Sequence, residues 1–445
     1  MAPRTDGVQA HRGAILHFRS DPGGSAPSGS FEYFAAGLLL IENGAVAAVG
    51  PAQALASTLP ADITVVDHGS DLLLPGFIDT HIHYPQTDVI GSGGRQLLDW
   101  LRDYTFPAES KFADAAHAQE VAEFFLDELV RNGTTTANVF CTVHAASVEA
   151  FFEAARQRRM RMVAGKVLMD RNCPESLRDT AEEGTRQSRE LIERWHGKDR
   201  LLYAITPRFA PTSSEAQLAG AGRLAAEYPE VFIHSHLAEN RDEVAWAQEL
   251  FPQARSYLNV YDRFGLLRDR AIYAHCIHLD GVDRDRMAQS GAAVAFCPTS
   301  NLYLGSGLFD IAAADAARLR FSIATDVGGG SSFSMLRTMG EAYKVAHLGG
   351  QHLTALRAFY LSTLGGARAL GLEGRIGNFA VGAEADFIAL DPCASPLLAR
   401  RTAQSRTLEE KLQVLMTLGD DRTVRACYIL GKQVYGAVST VRSMQ

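Results

Sequence analysis

The chain has 445 residues, of which 47% are hydrophobic, 21% charged and 9% aromatic. That mixture belongs to a folded globular protein and excludes disordered, collagen-like and low-complexity chains. With 43 Lys and Arg against 51 Asp and Glu, the formal charge is −8, and no basic excess points to nucleic acid or an anionic membrane surface as a partner.

The N-terminal MAPRTDGVQAHRG lacks the apolar stretch of a signal peptide. Apolar runs such as Phe34 to Ile41 fall far short of the ~20 residues that span a bilayer. The cysteines Cys141, Cys173, Cys276, Cys297, Cys393 and Cys427 form no CxxC pair. They are too few for a disulfide framework and read as small buried hydrophobes in a reduced, cytoplasmic chain.

Residues 1–70 read as short strands and turns, in GAILHF, FEYFAAGLLLIENGAVAAVG and ITVVDHGSDLLLP. Residues 376–445 share that texture, from Ile376 to Leu390 and from Val424 to Tyr435. Neither end suffices for its own core, so the two are expected to join in one small β-sandwich. Between them, residues 71–375 alternate short apolar runs with helical patterns. Eight strands are predicted: Phe77–His83, Thr134–Phe140, Arg161–Leu168, Leu201–Pro207, Val231–Leu237, Ala271–Cys276, Ala292–Cys297 and Phe321–Asp326. Amphipathic stretches Ala115–Asn132, Ser147–Arg159, Asp179–His196 and Glu215–Tyr228 lie between several of them. This α/β alternation predicts a TIM-like (β/α)8 barrel. A doubly wound sheet is the competitor, but neither GxGxxG nor a Walker loop follows the first strand.

Barrel chemistry sits at the C-terminal ends of the strands. Strand one ends in His81-Ile82-His83, and residues two apart on a strand share a face, so both imidazoles can grip one metal. Strand five ends in His236, strand six carries His275, and strand eight ends in Asp326. A lone HxH is weak; the five together predict a mononuclear zinc or iron site. The plainer alternatives are core histidines, and an Asp326 that caps the GGGSS loop. His234 forms a second HxH with His236 and is read as lining the barrel. A binuclear site needs a modified lysine on strand four, and LLYAITPRF has none; Lys166 falls on strand three. Glu239, three residues past His236, is placed for proton transfer beside the metal, or else is a solvated acid opening the helix ENRDEVAWAQEL.

The segments PGFIDTHIHYPQ, SHLAENRDEV, YAHC, FCPTSN and ATDVGG together resemble the amidohydrolase superfamily and its mononuclear nucleobase and ring-amine deaminases. Closer in, LLDWLRDYTFPAE, NGTTTA, GKVLMD, TPRFAPT and SMLRTM are similar to the guanine-deaminase branch, over most of residues 70–390. The resemblance implies a barrel joined to a composite sandwich, one Zn2+ per chain (Fe2+ being the other candidate) and a homodimer. It implies His81, His83, His236 and Asp326 as metal ligands, Glu239 as proton shuttle, and His275 beside the metal water. It also implies that Gln86, Arg208 and Phe209 read the purine. The activity implied is hydrolysis of guanine to xanthine and ammonia, by zinc-activated hydroxide attack on C2.

The chemistry of guanine agrees, since fixed N–H donors on Arg208 suit its O6 and N7 acceptors. Arg208 as an ordinary ion-paired residue is the bland alternative. Trp100 and Phe106 are either an aromatic lid over the ring or packing for a helix on the barrel. An aminohydrolase acting on a triazine, cytosine or adenosine-derived ring is the rival activity. A scaffold relative is a more distant one, because all the ligands are present. The small zinc deaminase fold fails, because its HxE and PCxxC signature does not occur.

Overall fold

The computed structural model describes residues 7–59, 63–93 and 96–436; positions 1–6 and 437–445 of the expected sandwich segments lie outside the described residues. Eight parallel strands form the central wall, hydrogen-bonded in chain order. They are Phe77–His83, Thr134–Phe140, Arg161–Gly165, Leu201–Pro207, Phe232–Leu237, Ala271–His275, Ala293–Phe296 and Arg320–Ile323, hereafter barrel strands one to eight. Nearly every residue in them is buried, as parallel strands covered on both faces must be. Strand eight meets strand one to close the wall. The Thr80 and Ser322 hydroxyls lie 2.7 Å apart, while Asp326 N donates to His81 O (3.0 Å) and His83 N to Val327 O (2.8 Å).

The helices around the wall follow their apolar periodicity. Ala115–Arg131 buries Ala118, Val121, Ala122, Phe125, Leu126 and Leu129 on one face, and the Asp114 side chain caps it on Ala116 N. Ala181–Trp195 is capped by Thr180 on Glu183 N and turns Leu191, Ile192 and Trp195 inward. No helix among the described residues is long and apolar enough to cross a membrane.

The two β-rich ends join in a single seven-stranded mixed sheet. Its order is Lys432–Gly436, Val424–Ile429, Phe387–Leu390, Val65–Pro75, Val8–Phe18, Phe31–Glu42, Ala45–Pro51. The joint is antiparallel, with Phe387 opposite Pro75 and Leu390 opposite Leu72. Gly76 then leads directly into barrel strand one.

Strands five, six and seven are shorter than predicted by one or two terminal residues, and strands three and eight depart further. Strand three breaks at Lys166, whose buried ammonium turns to Asp179; the chain resumes as Val167–Leu168, paired with strand four. Strand eight stops at Ile323, so Asp326 stands in the following loop with φ +51°. The reason is Asp79: its carboxylate accepts from both Thr325 N (3.1 Å) and the Thr325 hydroxyl, pulling the chain off the strand path.

An ionic clamp ties the N-terminal ends of strands three and four to the sheet. Arg161 donates to Glu384 (2.8 Å), and Arg200 to Glu384 (3.0 Å) and Asp386 (3.3 Å), with all but Glu384 nearly buried. Removing one partner strands buried charge, at a cost of about 3–5 kcal/mol. Glu384→Ala is therefore expected to lower the unfolding free energy by the lower end of that range, about 3 kcal/mol, seen as a lower denaturant midpoint at an unchanged m-value.

Candidate active site

Strand alternation brings His81 and His83 to one face, at the rim where strands five and six deliver His236 and His275. His83 Nε2 lies 3.2 Å from both His81 Nε2 and His236 Nε2. Asp326 Oδ1 is 3.1 Å from His81 Nε2 and 3.4 Å from His83 Nε2. His275 Nε2 is 3.7 Å from Asp326 Oδ2 and 3.3 Å from Glu239 Oε2. The structure thus gathers every residue expected at the metal, and all are buried but His236, which is nearly so.

Hydrogen bonds on the outer ring nitrogens fix how these imidazoles face. His236 Nδ1 donates to Arg208 O (2.7 Å) and His275 Nδ1 to Asn301 Oδ1 (2.9 Å), leaving each Nε2 with a bare lone pair. His81 Nδ1 meets His234 Nε2 at 2.8 Å. His234 therefore stands behind a cluster residue and orients it. Burial, aided by neighbouring imidazoles, keeps His236 and His234 well below the usual histidine range and His83 down to about 4. Burial would raise Asp326, but the facing imidazoles of His81, His83 and His275 outweigh it and hold the carboxyl far down.

Ligand atoms of His81, His83, His236 and Asp326 lie within 4.8 Å of one another. Three imidazole nitrogens and a carboxylate oxygen at that separation suit a single divalent cation of zinc or iron type. Cys297 shares a second such grouping with His81, His275 and Asp326; burial pushes its thiol far up, so it stays protonated. Lys166 is held by Asp179 and takes no part in the cluster.

Glu239 is not the solvated loop acid of the plainer expectation. It is buried, Ser306 Oγ donates to its Oε1 (3.0 Å), and burial with the Asp326 charge pushes it up to about 8. Its loop is held from below by Glu243. One Glu243 oxygen accepts from Glu239 N (2.9 Å) and Asn240 N (3.1 Å), and the other accepts from Tyr257 OH (2.7 Å).

A cleft opens over this cluster, with His83, His236, His275 and Asp326 in its lining. Leu97, Trp100, Leu101, Phe209 and Leu304 form its apolar walls, and Gln86 and Arg208 a polar one. Trp100 both lines the cleft and packs in an apolar cluster, its indole N–H donating to Ser92 O (2.9 Å). Phe106 carries the Arg208 guanidinium on its ring, at 5.4 Å. Arg208 is indeed ion-paired, to Glu109 inside the cleft wall (2.6 Å). Sequence reasoning passed over Glu109, Ser306, Asn301 and Glu243. Glu109 closes the quoted segment LLDWLRDYTFPAE and Asn301 closes FCPTSN, but no spacing rule marks either.

A barrel with this cluster at its C-terminal rim defines a metal-dependent hydrolase. The amidohydrolase family model matches residues 72–434, and the chain belongs to that family. It is 52% identical over 399 residues to the guanine deaminase of Escherichia coli K12, covering 90% of this chain and 91% of that one. The solved E. coli guanine deaminase superposes with a TM-score of 0.94 at 49% identity, covering 96% of this chain and 99% of that one. The guanine deaminase of C. acetobutylicum, solved with bound guanine in the active site, gives a TM-score of 0.87 at 26% identity, covering 96% and 100%.

Asp79 is the strut beneath the cluster, accepting also from His81 N (3.2 Å). Asp79→Ala leaves buried donors unpaired and is expected to cost about 1–3 kcal/mol. By freeing Asp326 it should also weaken the cluster's hold on a divalent cation by about 10–100-fold, read by chelator competition.

Proposed function

We propose that this protein is a zinc-dependent aminohydrolase that converts guanine to xanthine and ammonia by hydrolysis at C2. The carrying observation is an apolar-walled cleft that carries Arg208 and Gln86 and leads to a buried His/Asp cluster beside a raised-pKa glutamate. The naming of its relatives as guanine deaminases, one of them solved with guanine bound, supports the same reading.

His81, His83, His236 and Asp326 would hold the metal. A zinc or iron ion there supplies Lewis acidity, lowering the pKa of a water from about 15.7 towards ~7. The ring amine is a poor leaving group until aromaticity is broken, so water must add at C2 as N3 gains a proton. Arg208 and Gln86 hold the O6/N7 side of the purine while Trp100 and Phe209 cover its faces, fixing C2 over the cluster. Asp326 Oδ2 takes the attacking water's proton, and His275 Nε2 holds that oxygen in place. Glu239, protonated at neutral pH, delivers its proton to N3 and takes one back from the C2 hydroxyl as the carbonyl forms, while the proton held by Asp326 passes to the amine, which leaves as ammonia.

A cytoplasmic homodimer completes the proposal. The six unbridged thiols support the compartment, and the family resemblance the assembly. The proposed division is 1–70, 71–375 and 376–445, the outer two forming one β-unit whose strand Val65–Pro75 runs five residues past the first boundary.

Elemental analysis should find about one divalent metal per chain, as in a catalytic site with three or four protein ligands; a value near two overturns the mononuclear site. Glu239→Gln should keep its metal and bind guanine while kcat drops about 10²- to 10⁴-fold. Arg208→Ala should lower kcat/KM for guanine by about 1–3 kcal/mol with metal content unchanged, because purine acceptors and Glu109 both lose their donor. Ammonia release from a panel of amino-heterocycles decides the substrate. Release from a triazine, cytosine or adenosine-derived ring but not from guanine would favour the rival activity.

A further inference from the structure

Gln86 and Arg208 do not stand free in the cleft. Glu109 is fully buried and faces both: Oε1 accepts from Gln86 Nε2 (3.0 Å) and Oε2 accepts from Arg208 Nη1 (2.6 Å). Gln86 Oε1 in turn accepts from Gly328 N (3.2 Å). The amide of Gln86 is therefore pinned at both ends. Turning it over would set its oxygen against the Glu109 carboxylate and its NH2 against the Gly328 N–H, losing two hydrogen bonds and creating two repulsions. Arg208 has no acceptor atom at all, and both Glu109 oxygens are already engaged.

We propose that Glu109 is a specificity-determining residue. By locking the Gln86 amide with its oxygen turned to Gly328 and by seating Arg208, it makes N–H donors the groups the polar wall chiefly offers a ring, so that a ring is accepted when it presents oxygen or bare nitrogen there and disfavoured when it presents an amino group. This rests on the reading of the cleft as a purine site, with Arg208 and Gln86 on the O6/N7 side. Glu109 meets no substrate atom in this scheme; it acts through Gln86 and Arg208. Discrimination is strong because an amino group set against fixed donors leaves buried groups unpaired on both sides.

Guanine and 2,6-diaminopurine separate these possibilities. Both carry the amine at C2, and in both a C2–O bond forms from water while the C2–N bond breaks to release ammonia. They differ only in whether an oxygen or an amine faces the polar wall. The wild type is expected to favour guanine strongly. In Glu109→Gln the new amide can give its oxygen to Arg208 only by setting its NH2 against the Gln86 NH2, which drives the Gln86 amide to turn at the cost of its Gly328 bond and to offer an acceptor, so the ratio of kcat/KM for 2,6-diaminopurine over guanine should rise at least tenfold. Glu109→Asp keeps an acceptor-only group, so both rates should fall while their ratio stays near the wild-type value. Gln86→Met tests the lock from its other end and also raises the ratio; it serves if Glu109→Gln does not fold. Metal content is measured throughout. An unchanged ratio in Glu109→Gln and Gln86→Met, with both substrates slowed alike, makes Glu109 a structural strut and overturns the proposal. A wild type that releases no ammonia from guanine overturns the underlying activity instead.

Discussion

Three imidazole nitrogens and a carboxylate oxygen face one another at the mouth of a closed barrel, all within 4.8 Å. Burial denies the imidazoles a proton, and for His236 the hydrogen bond on the outer nitrogen leaves the inner lone pair bare. Such donors converge on one point, where a single divalent cation would fit. That convergence needs a scaffold that will not relax. Strands buried on both faces, with strand eight bonded back to strand one, form that scaffold.

The two ends of the barrel carry different burdens. At the N-terminal end, Arg161 and Arg200 are clamped by Glu384 and Asp386 from the sheet built of both chain ends. At the C-terminal rim the backbone itself is unusual: Ala238, His275 and Asp326 all have positive φ, at +50°, +69° and +51°. Left-handed backbone away from glycine is costly and survives where its surroundings over-determine it. Here Asp79 and the strand-one carbonyl of His81 hold Asp326, while Asn301 holds the His275 ring. A charged clamp ties down one end, and hydrogen-bonded left-handed turns set the geometry of the other.

That division explains what was legible in the sequence. Strands one, two and four match the predicted bounds, because their apolar, β-branched runs end abruptly at turns or polar residues. The i, i+2 rule placed His81 and His83 together, since strand alternation is local. It also put His234 on the face of His236, where it reaches His81. What escaped depends on partners distant in sequence. Glu109 has its place through Arg208, ninety-nine residues on, and Gln86, twenty-three residues back. The end of strand eight is set by Asp79, from the other side of the closure, and the break at Lys166 by the pull of Asp179. Local patterns find elements and the residues they carry; they do not see a buried acid whose purpose is to hold other side chains.

Two carboxyls in this cleft show the same lesson in electrostatic form. Asp326 and Glu239 are both buried, and burial alone would raise both. Asp326 faces imidazoles, which overcome that penalty and hold it ionised. Glu239 has Asp326 as a like charge and only one hydroxyl, from Ser306, to help it ionise. Beneath it Glu243, itself pushed up to about 7 chiefly by burial, gives no positive charge to compensate. In the proposed reaction one carboxyl must receive a proton while the other already holds one to give. Residue type cannot assign those parts, since aspartate and glutamate differ little in water. Their neighbours do, by pushing two similar acids in opposite directions, as sites that run acid and base chemistry at one pH require.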